Sequence, residues 1–171
     1  MRYQAFEQVM SQARMRRYLN AMGGDTRKAM TLYRLNLRLS QELFTVVSCF
    51  EIALRNAINE HYLPIHGNEW LRDAARAGGI FDSTNCRDTK RAINESTRNL
   101  NHLYTHAKLV ASLGFGFWRY MFARHQYRSA GQTLIGILPQ IPSSTTHQQY
   151  NNIFVFNELK KINNLRNRLA H

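Results

Sequence analysis

Arg166, Asn167 and His171, near the carboxyl end of the chain, carry groups that can grip a phosphodiester and move protons around it. The first is a permanent cation, the second a polar amide, and the third an imidazole that titrates near neutrality. They read Arg-Asn-x-x-x-His. A helix must carry them. Val155, Leu159, Ile162 and Leu169 recur at spacings of four, three and seven, which is the helical period, and Arg166 lies four after Ile162 and three before Leu169. A guanidinium on an apolar stripe needs a partner or a purpose, because an unpaired buried charge is costly. A structural reading makes it a snorkelling arginine at the end of the stripe or one half of a paired ion. The chemical reading makes it a phosphate ligand.

His171 complicates the chemical reading. Five residues on an ideal helix turn by about 140°, so Arg166 and His171 of one straight helix point in different directions. Either the helix breaks before His171, or two copies of the chain combine these residues across a dimer, or the spacing is accidental.

A chain of 171 residues fits one domain with a single sizeable core, and 44% hydrophobic content is ordinary for a globular protein. The net charge of +12 is not ordinary, and 18 of the 23 basic residues are arginine. Arginine offers a planar fork suited to phosphates and stacks on bases. Such a balance favours a polyanionic partner, nucleic acid before an anionic membrane, because the basic residues are scattered and form no single basic amphipathic stretch. Two cysteines, Cys49 and Cys86, make no disulfide framework; Cys49 reads as a small core residue, which suits a reducing cytoplasm. The N-terminus shows no apolar signal segment, and no window approaches the roughly 18 apolar residues of a membrane span.

Helical periodicity dominates the chain, and the expectation is an all-α protein of five to seven helices. Ala5 to about Met22 reads as one helix, stopped by Gly23-Gly24, after which Asp25-Thr26 can cap a second. From about Asn36 to Tyr62 the chain is most apolar. Leu39, Leu43, Val46, Phe50, Ala53 and Ala57 alternate at four and three, and other faces are apolar too, as expected of a buried central helix. It nevertheless carries Glu51, Arg55 and Asn56; Glu51 and Arg55 stand four apart in the order that favours pairing. Pro64 and Gly67 end this helix. Glu69 to Ala77, Thr89 to about Leu113, a segment opened by Gly114, and Tyr150 to the end read as further helices, with Pro139 to His147 as a loop.

Two weaker patterns lead elsewhere. His102 and His106, four apart, would share a helix face and could bind a metal, but no nearby acid or cysteine completes a ligand set, so no metal is expected. Gly114 and Gly116 lack the lysine and the longer glycine pattern of a phosphate loop. Phe115, Trp118 and Phe122 recur as core residues before they read as a platform for bases, and Arg119, Arg124 and Arg128 give the same region a basic flank.

Four blocks in order resemble a known family: Leu35-Asn-Leu-Arg-Leu-Ser-Gln-Glu-Leu-Phe44, Phe50-Glu-Ile-Ala-Leu-Arg-Asn-Ala-Ile58, Phe115-Gly-Phe-Trp118 and Leu165-Arg-Asn-Arg-Leu-Ala-His171. From about Met10 onward the chain is similar to the bacterial Abi-like proteins of abortive infection, a branch of the HEPN superfamily. That superfamily is marked by Arg, a polar residue, a few more residues and His, a pattern that Arg166, Asn167 and His171 match. The resemblance implies a HEPN-like helical bundle over residues 1–171, a homodimer whose two motifs meet in one cleft, and RNA cleavage that needs no metal or cofactor and leaves a cyclic phosphate. It also implies a role in antiphage or toxin systems, with an antitoxin or defence-system partner. Glu51, Arg55 and Asn56 match a polar motif expected to border the cleft. The family commonly continues past this histidine, often with another His and a Glu-Pro, so a shortened carboxyl end, with its carboxylate beside the imidazole, is an expected weakness of the site.

The implied chemistry fits the residue types. Cleavage of RNA by its own 2′-hydroxyl needs a base for that hydroxyl, an acid for the leaving oxygen and positive charge for the phosphorane. An imidazole can take either proton role, and a guanidinium can stabilise the phosphorane charge. Basic helices, with Arg119, Arg124 and Arg168 among their residues, would hold the RNA backbone with a salt-sensitive affinity. The alternative is a HEPN module without catalytic power that binds RNA or a partner protein.

Overall fold

The computed structural model describes residues 2–170, and these contain nine α-helices and no strand. Six of the helices have seven residues or more. They are α1 (Tyr3–Met10), α2 (Gln12–Ala21), α3 (Thr26–His66), α4 (Trp70–Ala74), α5 (Arg87–Leu100), α6 (His106–Ser112), α7 (Phe115–Tyr120), α8 (Arg124–Ser129) and α9 (Asn152–Ala170). The all-α expectation holds. The count differs because two expected helices are each divided, two neighbouring ones are fused, and α8 forms as a separate short helix after α7. Among the described residues no helix is long and apolar enough to cross a membrane.

The described residues group into two compact units. The second is Val47–Arg168; the first takes in the described residues before it, with Leu169 and Ala170. In the first, Phe6, Met15, Ala29 and Tyr33 form the core, and Tyr33 makes T-shaped contacts with Phe6 and Tyr18 at centroid distances of 5.6 and 5.0 Å. The single helix expected up to Met22 is interrupted at Ser11. Its backbone turns to φ 72°, and its hydroxyl accepts from Arg14 N at 3.4 Å to start α2. Serine favours such caps over helix interiors because its side chain competes for backbone partners. Asp25 caps α3 as its sequence position suggests, with Oδ1 accepting from Arg27 N and Lys28 N at 3.0 Å each. The Lys28 amide, more than any other cause, holds the Asp25 carboxyl below its ordinary range.

The second unit has the larger core. Trp70, Trp118, Tyr62, Phe81, Phe115 and Phe122 are its largest fully buried side chains. Within this unit α3 buries Val47, Leu54, Ile58 and Tyr62; of the expected stripe, Phe50 is half-buried against the core, Ala57 is half-buried and Ala53 is exposed. Cys49 is exposed and not a core residue, and Ile52 is also exposed. Further back on α3, in the first unit, Leu39 and Val46 are exposed as well. A helix apolar on several sides leaves its periodicity ambiguous, and only packing chooses the buried face. Pro64 lies inside α3, in its last turn, and Gly67, at φ 86°, ends the helix by giving its N–H to Leu63 O at 2.9 Å.

The helix expected from Thr89 to Leu113 is broken as well. Asn101 adopts φ 45° at the end of α5, a 3₁₀ turn follows over Asn101–Leu103, and Thr105 accepts from Lys108 N at 3.2 Å to open α6. His102 and His106 therefore share no helix face: His102 is exposed on the 3₁₀ turn, and His106 begins α6. His106 Nε2 instead donates to Asn59 Oδ1 at 2.8 Å, and the same oxygen accepts from Trp70 Nε1 at 2.9 Å. One asparagine of α3 thus ties down α4 and α6. Its carbonyl has two lone pairs, so both donors are satisfied.

Candidate functional site

Glu51 and Arg55 stand one turn apart on α3, and α9 brings Arg166 to Glu51. Phe50 and Phe115 pack edge to face at 6.0 Å, fixing α7 against α3 beside these residues. On α9, Val155 and Leu159 are buried and Ile162 packs against the same core. Arg166 follows Ile162 by one turn on that stripe. It meets a carboxylate there: Arg166 Nε lies 3.7 Å from Glu51 Oε2, with the glutamate side chain 16% exposed and the arginine 38%.

This corrects the local expectation. Glu51 pairs with Arg166 across the unit and not with Arg55 one turn away. Arg55 Nη1 instead makes a long contact, 3.5 Å, to the carbonyl oxygen of Ala111 at the end of α6. The two guanidinium Nε atoms, of Arg55 and Arg166, are buried without a hydrogen bond among the described residues. The Glu51–Arg166 contact is therefore an ion pair held by charge and position more than by a directed hydrogen bond. Gly114 stands close: a Cβ there would lie 3.9 Å from Glu51 Oε1. A guanidinium on an apolar stripe needs a partner or a purpose, and Arg166 has a partner in Glu51.

The other expected site residues divide into groups. Asn56, Asn167 and Arg168 are exposed. Arg124 is exposed on α8. Arg119 is not on a solvent-facing basic flank. Only 8% of it is exposed, and its guanidinium carbon lies 4.7 Å from the ring centres of both Tyr120 and Phe156. It is a packing residue of α7 against α9, stabilised by two aromatic faces. His171 lies outside the described residues. Among the described residues no group of three or more His, Cys, Asp or Glu is arranged to hold a metal ion.

Sequence reasoning missed the cluster around Asn59. Burial pushes the His106 imidazole below its ordinary range, with Glu69 opposing. His106 Nδ1 is buried without a hydrogen-bond partner. Tyr104 donates its hydroxyl to Glu69, and burial first, then that carboxylate, pushes the phenol up to about 12. Trp70 and His106 are far apart in the chain, and nothing in their spacing signals that both reach Asn59.

Comparison with known proteins adds no family to this geometry: no family model, no curated protein and no solved structure matches the chain.

Proposed function

We propose that the chain is an Abi-like member of the HEPN superfamily and acts as a metal-independent endoribonuclease of an abortive-infection or toxin-type defence system. Two copies would pair so that Arg166, Asn167 and His171 of each line one cleft. The supporting observation is that three of the four blocks carrying the resemblance converge. Glu51 from the second block faces Arg166 from the fourth at 3.7 Å, and Phe115 from the third packs on Phe50 beside them. Residues far apart in the chain, picked out by one motif set, occupy one neighbourhood.

In this reading the 2′-hydroxyl of RNA attacks the adjacent phosphorus. One His171 takes the hydroxyl proton, and the His171 of the second copy gives a proton to the leaving 5′ oxygen, so that a 2′,3′-cyclic phosphate remains. Arg166 stabilises the charge on the non-bridging oxygens. Glu51 engages Arg166 through Nε. That orients the guanidinium and leaves its terminal nitrogens for phosphate.

The test is incubation with total RNA in EDTA, comparing wild type with Arg166→Ala and His171→Ala and mapping the cut ends. Cyclic phosphate ends from the wild type alone are expected; equal cutting by all three proteins overturns the assignment. Sedimentation showing only monomer at micromolar concentration removes the composite site.

A second reading is favoured by the same ion pair. A carboxylate beside Arg166 offsets the charge that phosphate would seek, as in a HEPN module that binds RNA or a protein partner without cutting. It predicts salt-dependent RNA binding with no cleavage product.

A further inference from the structure

A pocket of about 360 Å³ in the second unit is lined by Arg124, Tyr127, Arg128, Gln132, Asn152 and Ile153. That volume falls in the ~300–1,000 Å³ range of small-molecule sites. Arg124 and Arg128 stand one turn apart on α8, both exposed, while Gln126 and Tyr127 between them are buried. Two like charges at this spacing repel each other. Neither is paired with a carboxylate among the described residues, and no acid lines the pocket. An anion between them would relieve the repulsion and occupy two forked donors at once.

The lip of the pocket is held in place. Gly131 and Gln132 both adopt left-handed backbone, at φ 92° and 62°. For a glutamine this conformation is unfavourable, and it persists where surrounding contacts over-determine it. Here Gln132 N donates to Tyr127 O at 2.9 Å, and the Tyr127 hydroxyl donates back to Gln132 O. The next residue, Thr133, is anchored through its hydroxyl to His61 Nε2 at 2.8 Å. Across the pocket, Asn152 Nδ2 donates to Phe122 O at 3.0 Å, which leaves its amide oxygen and second N–H for a ligand. The first free amides of α9, of Ile153 and Phe154, are already taken by Asn151 Oδ1, so the positive character of the pocket comes from the two guanidinium groups. Tyr127 and Ile153 give it one apolar wall.

We propose that this pocket binds the phosphate of a nucleotide, with Arg124 and Arg128 clamping the phosphoryl oxygens and the sugar lying against Tyr127 and Ile153. The nucleotide is either free or part of an RNA strand. The site is separate from the Glu51–Arg166 pair and does not require the chain to cut RNA.

The test is calorimetric titration in EDTA with AMP, with adenosine, and with a short 2′-O-methyl oligoribonucleotide, which has no 2′-hydroxyl to attack its own phosphates. Wild type is expected to bind AMP or the oligonucleotide, and adenosine far more weakly. Replacing both arginines, Arg124→Gln with Arg128→Gln, is expected to weaken binding roughly tenfold or more, because two charge-assisted hydrogen-bond partners are lost. The charge-matched control Arg87→Gln with Arg98→Gln, both exposed on α5, is expected to leave AMP binding unchanged. Binding of AMP that RNA does not displace identifies a free nucleotide as the source; binding of the oligonucleotide alone, lost in the α8 variant and kept in the control, identifies a phosphate of the strand. Adenosine binding as tightly as AMP, an α8 variant indistinguishable from wild type, or no binding of AMP and oligonucleotide overturns the proposal. None of these readouts involves cleavage, so the pocket and the proposed nuclease can fail independently.

Discussion

Glu51 Oε2 and Arg166 Nε are 3.7 Å apart, and the glutamate is the more enclosed of the two. This pair decides what the arginine on the α9 stripe is for. If the carboxylate only neutralises it, removing the carboxylate leaves a half-buried charge without a partner. If the carboxylate orients it for phosphate, removing the carboxylate also frees the guanidinium toward anions. A double-mutant cycle with Glu51→Gln and Arg166→Gln is expected to give a coupling of about 0.5–1 kcal/mol in denaturant unfolding, small because Arg166 is partly solvated. RNA affinity at low salt is expected to rise in Glu51→Gln and to fall in Arg166→Gln. Unchanged affinity in both variants, with the coupling intact, would make the pair purely structural.

Arg119 and Arg124 look interchangeable as basic residues of one segment, but the fold separates them. Arg119 is enclosed by Tyr120 and Phe156, whereas Arg124 lines an open pocket. Arg119→Ala is expected to cost roughly 1–3 kcal/mol of stability through lost packing and cation–π contact. Arg124→Ala is expected to change stability by less than about 0.5 kcal/mol. Nucleic-acid affinity should follow the opposite order when both are measured well below the melting temperature. Loss of affinity in Arg119→Ala at full stability would show that the buried guanidinium reaches the ligand after all.

The contrast shows where a sequence speaks and where it falls silent. Helices, caps and the stripe of α9 were legible, because periodicity and capping are local: Asp25 caps α3, and Val155 and Leu159 are buried, as their spacing requires. The need of Arg166 for a partner was legible too, since it follows from where the charge sits. The identity of that partner was not. Local spacing offered Arg55 to Glu51, and only the packing of α9 beside α3 brings Arg166 to it. The breaks at Ser11 and Asn101 were missed because both occur at residues other than glycine and proline, where a left-handed backbone turn leaves little mark on composition. The inner face of α3 was missed because several of its faces are apolar.

His106 links stability to pH. Burial depresses its imidazole below the ordinary histidine value, and Nδ1, the atom that would take the second proton, is buried without a hydrogen-bond partner. His61 is shifted the same way, by burial first and His66 second. Well above the ordinary histidine pKa of about 6.5 both rings are neutral in the folded and unfolded chain and contribute no pH dependence. As pH falls below that value the unfolded chain takes up protons that the folded chain resists, so stability declines until the folded-state values are reached. Melting temperature is expected to drop between pH 7 and pH 5, and to drop less in His106→Gln, which keeps a donor toward Asn59 and cannot charge. A pH profile identical in wild type and variant would remove His106 from the linkage.

Gly79 and Gly116 provide a matched pair for testing how closely the second unit is packed. A Cβ at Gly79 would fall 2.4 Å from Asp73 O and 2.5 Å from Ala74 O, both backbone atoms at the end of α4. Neither can step aside cheaply, because Ala74 O accepts from Phe81 N at 2.9 Å and Phe81 is fully buried. Gly79→Ala is therefore expected to destabilise by roughly 1–3 kcal/mol, the usual cost of forcing a methyl group into filled space. Gly116 sits inside α7, with nothing within 4 Å of the Cβ it lacks. Alanine there removes unfolded-state freedom and favours the helix, so Gly116→Ala is expected to stabilise by about 0.4–1 kcal/mol. At roughly 2–4 °C per kcal/mol for a chain of this size, thermal melts of the two variants should move in opposite directions from wild type. A melting temperature unchanged or raised in Gly79→Ala would mean that the close approach of Gly79 to α4 does not constrain the folded chain.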